Sequence, residues 1–300
     1  MRIAITTPTG HVGSAVADFL LDLGGDVSVK LLGRRPEGLR KFTERGAQML
    51  IGSQDDADFL TKATQDVDGL LWVTPPGYGS DDVRAFQNRL GKAAATAVRT
   101  NRVPRVVNLS SIGAQYPSGV GPINGLHDVE KWLDDAASNI THLRPGFFFE
   151  NLLWQLDSIK KWGRISLPLS GSQRYPMIAT RDIGSVAAQR LMDQKWTGHY
   201  VRELHGPANL SFDEAAGILS KVLGRKIVYA ECDRQELRQF LLDHAVSENA
   251  ADLMLEMYDA TDTGKLRPIQ PRTSETTTPT TLAEFAHDVM LPMIAAPVAQ

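Results

Sequence analysis

The chain has 300 residues, 42% of them hydrophobic, with 32 basic and 35 acidic side chains and a net charge of −3. That length and apolar content can bury a sizeable core, as one large α/β domain or one domain plus a smaller lobe. The missing basic excess argues against a nucleic-acid partner, no apolar run approaches a membrane span, and Cys232, the one cysteine, offers neither an internal disulfide nor a metal-ligating spacing.

Met1 leads directly into a strand, so no signal peptide is visible and a reducing cytoplasmic setting is expected. Ile3-Ala4-Ile5 forms the first apolar β run. The polar turn Thr6-Thr7-Pro8-Thr9-Gly10 follows, and then a helical pattern carried by Val12, Val16, Phe19, Leu20 and Leu23. Strand, glycine-bearing turn and helix N-terminus make an anion site, because the first helical N–H groups lack intrahelical partners and carry the positive end of the dipole. Gly10 would let backbone approach a pyrophosphate, and Gly13 would let the helix pack close to the strand. Thr7 occupies the place of the first glycine in the usual dinucleotide pattern. The alternative is an ordinary β–α turn with two packing glycines.

Val27 to Leu32 is the second strand, ending at Gly33-Arg34-Arg35. In a dinucleotide fold this end meets the adenosine ribose, where a carboxylate selects NAD and an arginine accommodates the 2′-phosphate of NADP. No carboxylate occurs between Val27 and Pro36, and two guanidiniums do. Their planar fork suits phosphate, so Arg34 and Arg35 favour NADPH over NADH, unless they merely face water. Met49-Leu50-Ile51 reads as a third strand, followed by the polar Gly52 to Asp56 loop. Gly69 to Val73 is a buried strand stopped by Thr74-Pro75-Pro76-Gly77. Residues 81–99 form a long helix, in which Arg99 begins a cationic cluster with Arg102 and Arg105 that reads as a solvated helix end. Val103 to Leu109 is the fifth strand, with Ser110-Ser111 at its end, and a helix from about Asn124 to Ala136 leads to a sixth strand, Ile140 to Leu143.

This alternation of uniformly apolar strands with helices predicts an α/β fold with a doubly wound, mostly parallel Rossmann-type sheet. The expected division is a dinucleotide-binding domain over 1–150, with 176–193 returning to it, and a smaller, mainly C-terminal α+β lobe over 151–300 that binds a substrate or a partner. Phe147, Phe148, Phe149, Trp154 and Trp162 would be core or the wall of a planar apolar site. In the lobe, Ser211 to Leu223 is a helix whose Ser211 and Glu214 have capping-box spacing. Ile227 to Ala230 is a short strand, and residues 233–259 make two helices. The Thr/Pro-rich segment 273–281 is expected as a surface connection before a last helix from Thr281 through Leu282, Phe285 and Val289.

Seven stretches share an order and spacing with one family: TTPTGHVGSAV at 6–16, LLGRRPE at 31–37, LLWVTPP at 70–76, NLSSIGA at 108–114, HLRPGFFFENLL at 142–153, ATRDIGSVAA at 179–188 and TTTPTTLAEFA at 276–286. Over nearly its whole length the chain resembles the NmrA-like family of atypical short-chain dehydrogenases/reductases. The resemblance implies an NAD(P)-binding doubly wound domain and a smaller lobe. It implies either an NAD(P)H-dependent reductase, quinone reductases among them, or a non-catalytic redox sensor that regulates a protein partner. It places Thr7, Thr9, Gly10, His11 and Val12 at the diphosphate turn and Arg34 at the 2′-phosphate. It sets Thr74 and Pro75 beneath the adenosine and nicotinamide side, Ser110 near the nicotinamide ribose and Pro145 beside the nicotinamide ring.

Short-chain dehydrogenases generally pair a tyrosine with a lysine four residues later on one helix face, the lysine lowering the phenol's pKa. No tyrosine of this chain has that lysine. In LHDVEKWL at 126–133 Glu130 matches the family's glutamate, and Leu126 stands where many relatives have lysine. His127, with Asp128 or Lys131 tuning it, could substitute as acid, or could simply bond a loop carbonyl. Ser110 and Ser111 could polarise a substrate carbonyl or hold ribose. No G-x-S-x-G elbow supports a hydrolase. The expectation is an NADPH-dependent reductase of a small aromatic, quinone-like or conjugated compound, with a homodimer or a protein partner as its candidate assembly. Isomerase or lyase chemistry on the same scaffold is the remaining alternative.

Overall fold

The structure is a computed structural model and describes residues 1–295. The first half alternates strictly: β1 (Arg2–Thr6), α1 (His11–Leu23), β2 (Ser28–Gly33), α2 (Arg40–Thr43), β3 (Gln48–Ile51), α3 (Ala57–Ala63), β4 (Gly69–Val73), α4 (Val83–Asn101), β5 (Val106–Leu109), α5 (Ile123–Asp134) and β6 (Asn139–Pro145). Then come β7 (Phe147–Phe148), α6 (Leu156–Trp162), β8 (Arg164–Leu167), β9 (Arg174–Ile178), α7 (Thr180–Met192), β10 (Gly198–Leu204), β11 (Ala208–Ser211), α8 (Phe212–Val222), β12 (Val228–Glu231), α9 (Arg234–Asp243), α10 (Glu248–Asp262), α11 (Leu282–Phe285) and α12 (Leu291–Ala295).

Seven strands form one parallel sheet in the order β10-β6-β5-β4-β1-β2-β3. Ile5 pairs with Leu31 on one side and Leu71 on the other. Helices cover both faces, so the central strand β4 is apolar throughout, with every residue buried. On one face Val16 and Leu20 of α1 pack with Ile183 and Leu191 of α7. On the other Leu90 and Val98 of α4 pack with Val129 and Leu133 of α5 around Trp72. The strand order reverses between β1 and β4, and open α/β sheets bind ligands at that switch point, outside the strand C-termini.

The smaller lobe has its own core, with Phe149, Phe212 and Phe285 fully buried in it. A three-stranded sheet, β11-β9-β7, and the pair β12-β8 frame it. Ser211 and Glu214 close the capping box ahead of α8, and Thr281 and Glu284 close another ahead of α11. None of the described helices is long and apolar enough to cross a membrane.

Three features differ from the sequence reading. Residues 198–204, left in the lobe by that reading, are the seventh strand of the large sheet. GHYVREL hides this because β10 is an edge strand whose His199, Tyr200 and Val201 are exposed. Of the returning segment 176–193, α7 covers the large sheet, but Pro176 to Ile178 belong to β9 of the small one. The Thr/Pro segment is a surface connection only in part: Thr273, Ser274, Glu275, Pro279 and Thr281 are exposed, but Thr276, Thr278 and Thr280 are buried. Its polar groups are largely satisfied internally. Thr280 donates its N–H and hydroxyl to the Asp182 carboxylate, and Thr276 O accepts from His205 N.

Glu203, at the end of β10, is completely buried. Its carboxylate accepts from His205 Nε2 at 3.1 Å, Ile269 N at 3.0 Å and Gln270 N at 2.9 Å, tying the segment after α10 to the sheet. Burial pushes this carboxyl up, but the bonds from His205 and the two amides outweigh it and hold it below the usual glutamate range. A depressed native pKa stabilises the fold above the unfolded value, about 4.3, and that contribution disappears as pH falls through the native value. Glu203→Gln should therefore cost about 1.5–3 kcal/mol near pH 7. Denaturant titrations should show the gap from wild type closing as the pH is taken below about 4.

Candidate cofactor and substrate site

The turn between β1 and α1 is drawn tight by Thr7, which takes a left-handed φ of +50°. Glycine favours that conformation, and Thr7 adopts it where the dinucleotide pattern has its first glycine. Gly10 N donates to Thr7 O at 3.0 Å, and a Cβ on Gly13 would meet that same carbonyl at 2.2 Å. Helix and turn are thus in direct backbone contact, and Gly13 cannot be replaced without moving one of them. The Thr7 hydroxyl faces inward, 3.0 Å from Val73 O and 3.1 Å from Gln54 Oε1, so it donates into the protein. What Thr7 presents outward is backbone. Gly10 caps α1 in extended conformation with no side chain on the first-turn amides, which leaves the His11, Val12 and Gly13 N–H groups available to an anion.

Gly33 packs against Pro8, and Gly38 lies against Thr9, so the loop after β2 borders the β1–α1 turn. Arg34 and Arg35 are exposed there, and neither meets a carboxylate among the described residues. Thr74 and Pro75 follow β4 at the switch point. Thr74 is held by Trp72, whose indole N–H donates to its hydroxyl at 2.9 Å. Ser110, after β5, is buried: its N–H donates to Leu143 O, but its hydroxyl has no partner among the described residues. Pro145 ends β6. The next residue, Gly146, passes so close to Pro176 that a Cβ would lie 2.3 Å from Pro176 O. Free helix amides, the buried Ser110 hydroxyl and two guanidiniums, all unpaired among the described residues along one sheet edge, fit a phosphorylated dinucleotide.

The sequence reading offers His127 as an acid. Its Nδ1 lies 2.8 Å from Ala114 O, so that nitrogen donates and Nε2 is left an acceptor. Asp128 is taken by Arg84 at 2.6 Å and Asn88 at 2.8 Å, and Lys131 is exposed. This is the geometry of a histidine pinning the β5–α5 loop. Ser111 donates to Ile112 O. Beneath that loop Arg144 and Glu130 form a buried two-bond ion pair, with Nε–Oε1 at 2.9 Å and Nη2–Oε2 at 2.5 Å. Cys232 is a poor nucleophile, since burial pushes its thiol up.

Between the sheet edge and the lobe lies a cavity of about 380 Å³. Ser111, Pro145 and Gly146 form its floor on the sheet side, Phe147, Phe148 and Phe212 part of its wall, and α9 and α10 close it with Leu241, Phe240 and Met257. Of the aromatic run in the sequence, Phe149 is core, Phe147, Phe148 and Trp154 line the cavity, and Trp162 is exposed away from it. No Asp, Glu, Lys, Arg or His is among the lining residues. Sequence reasoning missed Tyr78, Tyr175 and Tyr258, which also line it, because a search for a lysine four residues on passes over tyrosines placed by three separate elements.

The NmrA-like family model matches residues 1–286. The NAD(P)H azoreductase of Xenophilus azovorans is 30% identical over 258 residues, covering 85% of this chain and 86% of its own. Quinone oxidoreductase 2 of Escherichia coli is 25% identical over 254 residues, again 85% of this chain and 86% of the relative. Among solved structures, the triphenylmethane reductase of a Citrobacter species, in complex with NADP(H), has the same fold, with a TM-score of 0.79 at 22% identity over 96% of this chain and 99% of that one. Motif order, sheet topology and a full-length family match agree, and the chain belongs to the NmrA-like family.

Proposed function

We propose that the protein is an NADPH-dependent oxidoreductase that reduces a planar aromatic or quinone-like compound in the cavity beside Pro145. One observation carries this reading: the uncharged, aromatic-walled cavity shares Ser111, Pro145 and Gly146 with the sheet edge that presents the diphosphate turn and Arg34. The names of the azoreductase and quinone oxidoreductase relatives support the same class of substrate. NADPH would lie on the amides of His11 to Gly13, with Arg34 and Arg35 at the 2′-phosphate, Thr74 and Pro75 beneath it, and Ser110 Oγ on the ribose. When bound, the cofactor supplies a hydride, and a solvent proton completes the two-electron reduction of a quinone to a hydroquinone.

The chain's own share is positioning and water exclusion. Pro145 is held by the Arg144–Glu130 pair behind it and by Gly146 against Pro176. The apolar walls replace water around the acceptor, strengthening whatever hydrogen bonds reach it. A quinone needs no protein acid, which agrees with His127 being engaged at Ala114 O. The free thiol at Cys232 suits a reducing, cytoplasmic setting. The test is loss of NADPH absorbance against a panel of quinones, azo dyes and enones, alongside calorimetric titration of NADPH and NADH. Turnover with quinones is the expected result. Tight NADPH binding with no turnover against any acceptor would overturn it in favour of a redox sensor, whose oligomeric state on size exclusion should then differ between NADPH and NADP⁺.

A further inference from the structure

Three phenols line the cavity, and no hydrogen-bond partner is found for any of the three hydroxyls among the described residues. They come from unrelated places: Tyr78 from the loop between β4 and α4, Tyr175 from β9 and Tyr258 from α10. Tyr175 and Tyr258 are each 8% exposed, and the Tyr175 hydroxyl is enclosed and unpaired. A neighbouring phenol shows what the same fold does for a structural tyrosine. Tyr229 stacks on Phe212, and its hydroxyl donates to Leu169 O at 2.6 Å. Buried tyrosine hydroxyls ordinarily find such an acceptor, because an unpaired one forfeits its bonds to water. The enclosed Tyr175 hydroxyl therefore lowers the stability of the ligand-free protein, and the Tyr78 and Tyr258 hydroxyls, which bond no protein group among the described residues, are left free for what enters.

We propose that Tyr78, Tyr175 and Tyr258 are a hydrogen-bond donor set for the substrate, bonding oxygen or nitrogen atoms at the edges of a neutral conjugated acceptor. The proposal rests on the oxidoreductase reading and deepens it. Burial raises all three phenols, Tyr175 to about 12. No lysine or arginine lines the cavity, and burial and the Asp262 charge outweigh the pull of Arg267 on Tyr175. Each hydroxyl thus keeps its proton at neutral pH and donates a hydrogen bond without transferring it. As a hydride adds to one end of a quinone, negative charge grows on its oxygen. A donor already in place strengthens with that charge, and the proton that ends on the product comes from water. This differs from a tyrosine–lysine pair, in which a lowered phenol gives up the proton itself.

The test compares Tyr78→Phe, Tyr175→Phe, Tyr258→Phe and the Tyr175→Phe/Tyr258→Phe double variant with wild type. Three readouts are used: melting temperature without ligand, binding of a para-naphthoquinone by tryptophan quenching, and kcat/KM for that quinone against a cationic triphenylmethane dye that carries no carbonyl oxygen. The expected result is an unchanged or raised melting temperature, because no bond is removed. Quinone binding and kcat/KM should fall about 5- to 20-fold per hydroxyl, more in the double variant, with dye turnover within about twofold. A lowered melting temperature would mean that the hydroxyl serves the fold and would overturn the proposal. So would quinone kinetics within twofold of wild type in the double variant, or equal losses for quinone and dye. A wild-type protein that fails to oxidise NADPH in the presence of any of these acceptors would instead overturn the oxidoreductase reading itself.

Discussion

Arg34→Glu is expected to weaken NADPH about 10- to 100-fold while leaving NADH within about threefold. The range corresponds to about 1–3 kcal/mol for a lost charge-assisted hydrogen bond. Arg34 follows β2 directly, on the loop that borders the β1–α1 turn, and it is exposed with no carboxylate to neutralise it among the described residues. The substitution therefore breaks no internal pair, so melting temperature should hold while nucleotide choice changes. Adding a carboxylate where a ribose hydroxyl would be read also removes the bias against NADH. Calorimetric titration with both nucleotides decides it, and equal loss for the two would remove the 2′-phosphate assignment. Arg35→Glu is the informative companion, since the two side chains are adjacent and equally exposed.

Arg144→Met should cost about 3–5 kcal/mol of stability, because it leaves the Glu130 carboxylate buried without its partner. Both side chains are 8% exposed, and the pair links α5 to the C-terminal end of β6, with Arg144 Nη1 reaching Gln115 Oε1 at 3.3 Å as well. The double variant Arg144→Met/Glu130→Leu should recover most of the loss, since two apolar side chains replace two desolvated charges. Chemical denaturation of the single and double variants measures this. If the single variant loses less than about 1 kcal/mol, the pair behaves as an exposed one would, contrary to its burial. Activity is expected to fall further than stability in the double variant, because Pro145 directly follows Arg144 and loses its fixed support.

The large sheet was legible because most of its strands carry a short apolar run and are separated by helical periodicity, as Gly69 to Val73 shows. The edge strand β10 was not, since GHYVREL exposes half its length and carries no apolar run. The glycine-bearing turn between β1 and α1 was legible from order along the chain, for strand, turn and helix are contiguous there. The inward hydroxyl of Thr7 was not, because its acceptors, Val73 O and Gln54 Oε1, come from the β4 end and the loop after β3. His127 illustrates the same limit: spacing gave it Asp128 and Lys131 as neighbours, whereas the tertiary fold gave it Ala114 O and turned Asp128 toward Arg84.

By itself the sequence determined the doubly wound architecture, the strand–turn–helix order that opens it, the two arginines with no carboxylate between Val27 and Pro36, and the lack of a tyrosine–lysine pair, all properties of local pattern and contiguous spacing. The tertiary structure alone decided which threonines of 273–281 are buried, which strand closes the sheet and which tyrosines face the cavity. Those are set by residues far apart in the chain: Thr280 meets Asp182, β10 pairs with β6, and Tyr78, Tyr175 and Tyr258 converge from a loop, a strand and a helix. Burial and hydrogen-bond satisfaction are properties of what surrounds a residue in space, and no periodicity along one segment encodes the neighbours that another segment brings.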